Sequence, residues 1–163
     1  MLNQSLIPEF QHEASSTRKI LERVPDGKLD WKPHDKSMTL GRLASHIAEI
    51  PDWMTVTLTT DELDFAKGDY KFTAPANTAE LIAKFQDSCH KALEQLKAAT
   101  DETLMGPWTL RNGDHVIFTM PRIATLRSFV MNHFIHHRGQ LSVYLRLLDV
   151  PVPGMYGPTA DEQ

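Results

Sequence analysis

At 163 residues the chain has the length of one domain, enough to bury a full core without disulfides or a structural metal. Its 17 Lys and Arg against 21 Asp and Glu give a net charge of −4 with no basic run, so a phosphate-tracking face, and with it a nucleic-acid partner, is not expected. The lone Cys89 has no second thiol for a disulfide or a zinc knuckle, no stretch nears the roughly 20 apolar residues of a membrane span, and the first residues lack a basic leader pattern, so a soluble cytoplasmic protein without a membrane partner is expected.

From about Asn3 to Val24, Leu6, Phe10, Ala14, Thr17, Leu21 and Val24 recur at threes and fours until Pro25-Asp26-Gly27 stops the pattern, which predicts a first helix. Residues 28–38 form a connection whose Trp31 should fold back onto the helices. A second helix starts near Ser37 or Thr39, either of which can cap it, and carries Leu43, His46, Ile50 and Trp53 on one stripe. Pro51 has no amide hydrogen to offer, so a kink or restart is expected one turn beyond His46.

Helical period is then lost from Asp61 to Ala76, a connection long enough to cross an end of the domain. Asn77 and Glu80 make a capping signal for a third helix with Ile82, Phe85, Cys89, Ala92, Leu96 and Ala99 on its stripe. Cys89 on that stripe reads as a small buried apolar residue. Trp108 to Phe118 reads as two short extended pieces around Asn112-Gly113, which must lie against the helices because an isolated ribbon is marginal. A last helix spans the run from 121 to 149, ended by Pro151 and Pro153, with a Pro/Gly-rich tail after it. The expected fold is all-α: a four-helix bundle with long connections and a small hairpin-like insertion before the last helix, residues 1–163 forming a single domain.

In the last helix, steps of three and four from Ile123 pass Leu126, Val130, His133, His137, Gln140, Tyr144 and Leu147, so two histidines occupy a seam where leucines belong. Being four apart, His133 and His137 share a face, within reach of one ion. His136 is rotated by about 100° and should point elsewhere; His34, His90 and His115 read as solvated. His46 replaces a leucine in the second helix in the same way. Two accounts of His46, His133 and His137 stand at this point: a shared divalent ion, or three imidazoles each bonded to a carbonyl or serine inside the core.

Three imidazoles with at least one open position have the composition of a catalytic rather than a closed site. The lack of cysteine ligands and of a carboxylate cluster favours zinc or nickel over iron centres. Glu49, three residues after His46, is a candidate general base or orienting acceptor, and Gln140, three after His137, another candidate partner of the site. Arg138 could hold an anionic substrate group, or form an ordinary salt bridge.

Trp31 followed by Ser-Met-Thr-Leu-Gly-Arg-Leu-Ala-Ser-His46, the run Asn132-His133-Phe-Ile-His-His137-Arg138-Gly139-Gln140-Leu-Ser-Val-Tyr-Leu-Arg146, and the tail Val-Pro-Gly-Met-Tyr-Gly-Pro-Thr-Ala-Asp-Glu together resemble the DinB-like family over nearly the whole chain. The resemblance implies a metal-binding four-helix bundle with a helix order that is not simply up and down, often a homodimer, and His46, His133 and His137 as its metal triad. It also implies an enzyme of thiol S-transferase, maleylpyruvate isomerase-like or hydrolase type, acting on a small thiol or an electrophile. The alternative is a stress-related or structural metal-binding module without turnover.

Overall fold

In the computed structural model, which describes residues 1–68 and 75–162, two of the four long helices begin where a capping side chain stands. Helix α1 spans Asn3–Leu21. Helix α2, Leu40–Thr59, starts at Thr39, whose hydroxyl accepts from the Arg42 amide at 3.2 Å. Helix α3, Thr78–Ala98, starts at Asn77, whose side chain accepts from the Glu80 amide at 2.9 Å, while the Glu80 carboxylate reaches back to the Ala76 amide at 3.0 Å. Short helices follow at Asp101–Met105 (α4) and Arg122–Thr125 (α5). A π-helical stretch, Leu126–Met131, then leads directly into α6, Asn132–Leu147. Asp149 ends this run at φ 56°, and the Val150 amide returns to the Leu145 carbonyl at 3.0 Å, closing the helix end.

Helix α3 packs against α2 and α1, and α6 packs against the same two helices, so α1 and α2 sit on opposite corners of the bundle. The core between them is built from Leu6, Phe10, Ile20, Leu43, Ile47, Phe85, Leu96, Phe134 and Leu141, among others. Helix α2 runs unbroken through Pro51 rather than restarting there. Trp31 folds back as expected, its ring edge-on to Tyr144 with centroids 5.7 Å apart.

The hairpin is present as β2, Pro107–Asn112, antiparallel to β3, His115–Pro121, turning at Gly113 with φ +58°, a conformation only glycine adopts freely. It is not alone: Glu62–Asp64 forms β1 and pairs in parallel with β2, making a three-stranded sheet where the sequence suggested a two-stranded ribbon. Three residues within the long connection are too few to show a strand period, so only the partner β2 reveals this strand. Residues 69–74 of that connection lie outside the described residues. Trp108 ties the sheet to the bundle: it is buried and its indole N–H donates to the Thr60 hydroxyl at 3.2 Å. Arg122 does the same from below, its guanidinium donating to the carbonyls of Thr57, Thr60 and Pro107 at 2.8–3.0 Å. Among the described residues no helix is long and apolar enough to cross a membrane.

Candidate metal centre

The contact of α2 with α6 brings His46 beside His133 and His137. On α2, Leu40, Leu43, Ala44, Ile47, Ile50 and Met54 are buried, and this packing turns His46, half-buried, toward α6. On α6 the buried face runs through Phe134, His137, Arg138, Leu141 and Leu145, and the i, i+4 spacing stacks His133 above His137. The three ring centroids lie 4.6–5.0 Å apart, and one ligand nitrogen from each ring can be chosen so that all lie within 4.8 Å of one another.

His46 Nε2 and His133 Nε2 are 3.2 Å apart. Two nitrogens held at about 2.0–2.1 Å from one ion at a tetrahedral angle stand about 3.3 Å from each other, so the pair is spaced as co-ligands would be. His137 Nδ1–H donates to Gln140 Oε1 at 2.7 Å, which leaves the lone pair of its Nε2 free for a ligand bond. His133 Nδ1 is buried and has no hydrogen-bond partner among the described residues. Three imidazoles placed together with, among the described residues, an oxygen acceptor for only one of their ring N–H groups are under-satisfied as a hydrogen-bonded cluster. The donor set therefore fits a divalent ion.

Electrostatics point the same way. His46 is lowered to about 4 by burial first, then by His137 and His133 and by the Arg42 charge. His133 is lowered to about 4 by burial and by His137 and His136. His137 is lowered by burial, against the opposing bond to Gln140. Near neutral pH all three rings are uncharged, the form that binds a metal.

A cavity of about 590 Å³ adjoins the triad with His46 on its wall. Trp53, Val56, Leu63 and Phe65 make its apolar side; Arg42, Glu49, Asp52 and Lys84 make its polar side. Glu49 lies one turn from His46 and pairs with Arg42 at 3.9 Å, and Lys84 bridges from α3 to Asp52 at 2.6 Å. The aromatic contacts behind this wall were not foreseen: Trp53 stacks on Phe129 at 4.9 Å and stands 5.5 Å from His133. Phe129 sits in the π-helical stretch, whose wider turn shifts the phase of every residue after it, which is why the expected stripe through Gln140 and Leu147 ends at exposed positions.

Of the other candidates, Gln140 is in contact with the triad through His137, and Glu49 faces the cavity. Arg138 is not in this group. Its guanidinium is buried on the α1 side, 2.7 Å from Glu13 and 2.6 Å from the Tyr156 hydroxyl, because the next residue along a helix points about 100° away. Its charge is matched inside the chain and does not line the cavity. Cys89 is partly buried, and burial, with the Asp52 charge, pushes its thiol up to about 12.

Comparison with known proteins gives one consistent picture. The model of the DinB family matches residues 1–163. The uncharacterized protein YrdA of Bacillus subtilis (strain 168) is 32% identical over 157 residues, covering 96% of this chain and 89% of that protein. Among solved structures, a DinB-like protein from Bacillus cereus ATCC 10987 superposes with a TM-score of 0.73 at 26% identity, covering 94% of this chain and 97% of that one. A second DinB-like protein, YjoA of Bacillus subtilis, superposes with a TM-score of 0.69 at 20% identity over 90% of this chain and 95% of its own, a likeness of fold.

Proposed function

This chain belongs to the DinB family, and from that premise we propose that it binds one zinc or nickel ion through His46, His133 and His137 and uses it as an enzyme of thiol S-transferase or hydrolase type. The observation that carries the proposal is the convergence of three neutral imidazoles beside a cavity large enough for a small-molecule substrate. An ion bound there supplies Lewis acidity and favours the deprotonated form of a thiol or water beside it.

The chain's own side chains have separable roles in this reading. Gln140 fixes the tautomer and ring angle of His137. Glu49, on the cavity wall and flanked by Arg42, accepts a proton from the nucleophile. Trp53 and Phe65, their centroids 6.3 Å apart, offer an apolar surface to the electrophile and keep water from it. Val143 and Leu147, exposed one turn apart on α6, support a homodimer, and the lone thiol supports a cytoplasmic location.

The test is elemental analysis of tag-free protein prepared without chelator, followed by assay of a small thiol with an electrophile, with and without the ion. Near-stoichiometric zinc or nickel and conjugation that depends on it support the proposal. A protein that cannot be loaded loses the metal site, and a loaded protein that turns over no thiol and hydrolyses no ester or amide is a metal-binding module without catalysis.

A further inference from the structure

Arg138 directly follows His137, yet it is only 2% exposed and belongs to a different polar cluster. Its Nη1 lies 2.7 Å from the Glu13 carboxylate and donates to the Glu13 carbonyl and the Thr17 hydroxyl, both at 3.2 Å. Its Nη2 donates to the Tyr156 hydroxyl at 2.6 Å, and that hydroxyl donates on to both Glu13 carboxylate oxygens at 2.9 Å. Glu13 is itself only 6% exposed. Three distant segments, α1, α6 and the tail, therefore close one ion-paired ring.

The tail is folded to present that phenol. Asp161 pairs with both terminal nitrogens of Arg146, at 3.0 and 2.6 Å, and accepts from the Val152 amide at 2.8 Å. Glu162 accepts from the Gly154 amide at 2.8 Å. Tyr156 lies in the loop between these anchors, with His12 stacked beside it at 6.3 Å.

We propose that the Glu13–Arg138–Tyr156 cluster is a positioning device for the metal centre, an inference that rests on the metal reading above: it fixes the rotation of α6 and thereby the placement of His133 and His137 against His46. A buried guanidinium cannot leave its carboxylate without exposing both charges to a poor medium, so the helix is pinned on its α1 side. The imidazoles stand on the α2 side of the same turn. A rotation of about 20° at a helix radius of about 5–6 Å moves a side-chain atom by about 2 Å. That is the length of a whole metal–nitrogen bond, about 2.0–2.1 Å, so a loosened cluster would open the triad without unfolding the bundle.

The experiment compares cobalt(II) affinity and visible absorption of the parent, Glu13→Gln, Tyr156→Phe and a core control in α3, Leu96→Val. The phenyl ring of Tyr156 is largely exposed, so Tyr156→Phe removes the hydroxyl bonds with little loss of packing. Expected are an affinity loss of about tenfold or more for Glu13→Gln, a smaller loss for Tyr156→Phe, and shifted cobalt bands in both, with the control unchanged despite its lower stability. A parent that binds cobalt while Glu13→Gln and Tyr156→Phe match it in bands and affinity overturns the positioning role alone. A parent that takes up no cobalt overturns the metal reading, and the positioning role with it.

Discussion

Helix α6 carries two polar insertions into the core, one residue apart, and they are finished differently. On its α1 side Arg138 finds a carboxylate, a carbonyl and two hydroxyls, so the protein itself satisfies the charge. On its α2 side the imidazoles find one amide oxygen and otherwise one another, and His133 Nδ1 is left without a partner among the described residues. Polar groups set into one core thus have opposite meanings. A closed polar network reads as architecture, whereas a set of neutral donors converging on a common point reads as a place kept for a ligand.

The comparison breaks most sharply under substitution of the triad. Replacing His46, His133 or His137 by Ala should take the metal content from near-stoichiometric to near zero, read by elemental analysis, with the fold retained. Retention of the metal in all three variants would move the site elsewhere.

The two sides should also differ in metal-free protein. Arg138→Met leaves Glu13 buried and unpaired, and should cost about 3–5 kcal/mol in urea unfolding. His133→Leu, which removes an under-satisfied ring from an apolar seam, should change the same quantity by about 1 kcal/mol or less. Equal losses would mean that the imidazoles are as structural as the ion pair.

A gentler test is pH. His46 and His133 are held near 4 in the folded state against 6.5 ordinarily, so between those values the unfolded chain binds protons that the folded one refuses. The metal-free protein should therefore be fully stable above about pH 6.5 and lose stability as the pH falls toward 4. Urea midpoints at pH 7.5, 5.5 and 4.5 would show it, and zinc should raise the midpoint at pH 7.5. A flat profile would contradict the neutral, half-buried state of these rings.

The smallest expected effect belongs to Gln140. Gln140→Leu frees the His137 ring without removing a ligand, and should weaken zinc binding by about tenfold with little change in metal-free stability. Competition with a chromophoric chelator measures it, and unchanged affinity would make Gln140 a surface residue that only happens to touch the ring.

Much of this was legible in the residues. The caps Thr39 and Asn77, the stop after Asp149, the turn at Gly113 and the i, i+4 pair His133 and His137 are local features that act within one or two turns. Arg138 had two readings, a substrate anion holder or an ordinary salt bridge, and its placement matches the salt bridge. The sequence could not single it out because its partners Glu13 and Tyr156 lie 125 and 18 residues away. Strand β1 and the ring contacts of Trp53 with Phe65 and Phe129 were invisible for the same reason.

By itself, then, the sequence set the four long helical stretches, the caps at Thr39 and Asn77, the shared face of His133 and His137 and the family resemblance, since all of these follow from short-range periodicity or from motif. Only the tertiary structure decided that α2 lies against α6, so that His46 faces the pair across 87 residues, and that Arg138 turns to α1 instead. The physical reason is that a helix fixes the angles between its own side chains but not its rotation about its axis. That rotation is chosen by what packs on every side of it, here α1, α2 and the folded tail, and with it whether a buried polar group meets a partner or an open space.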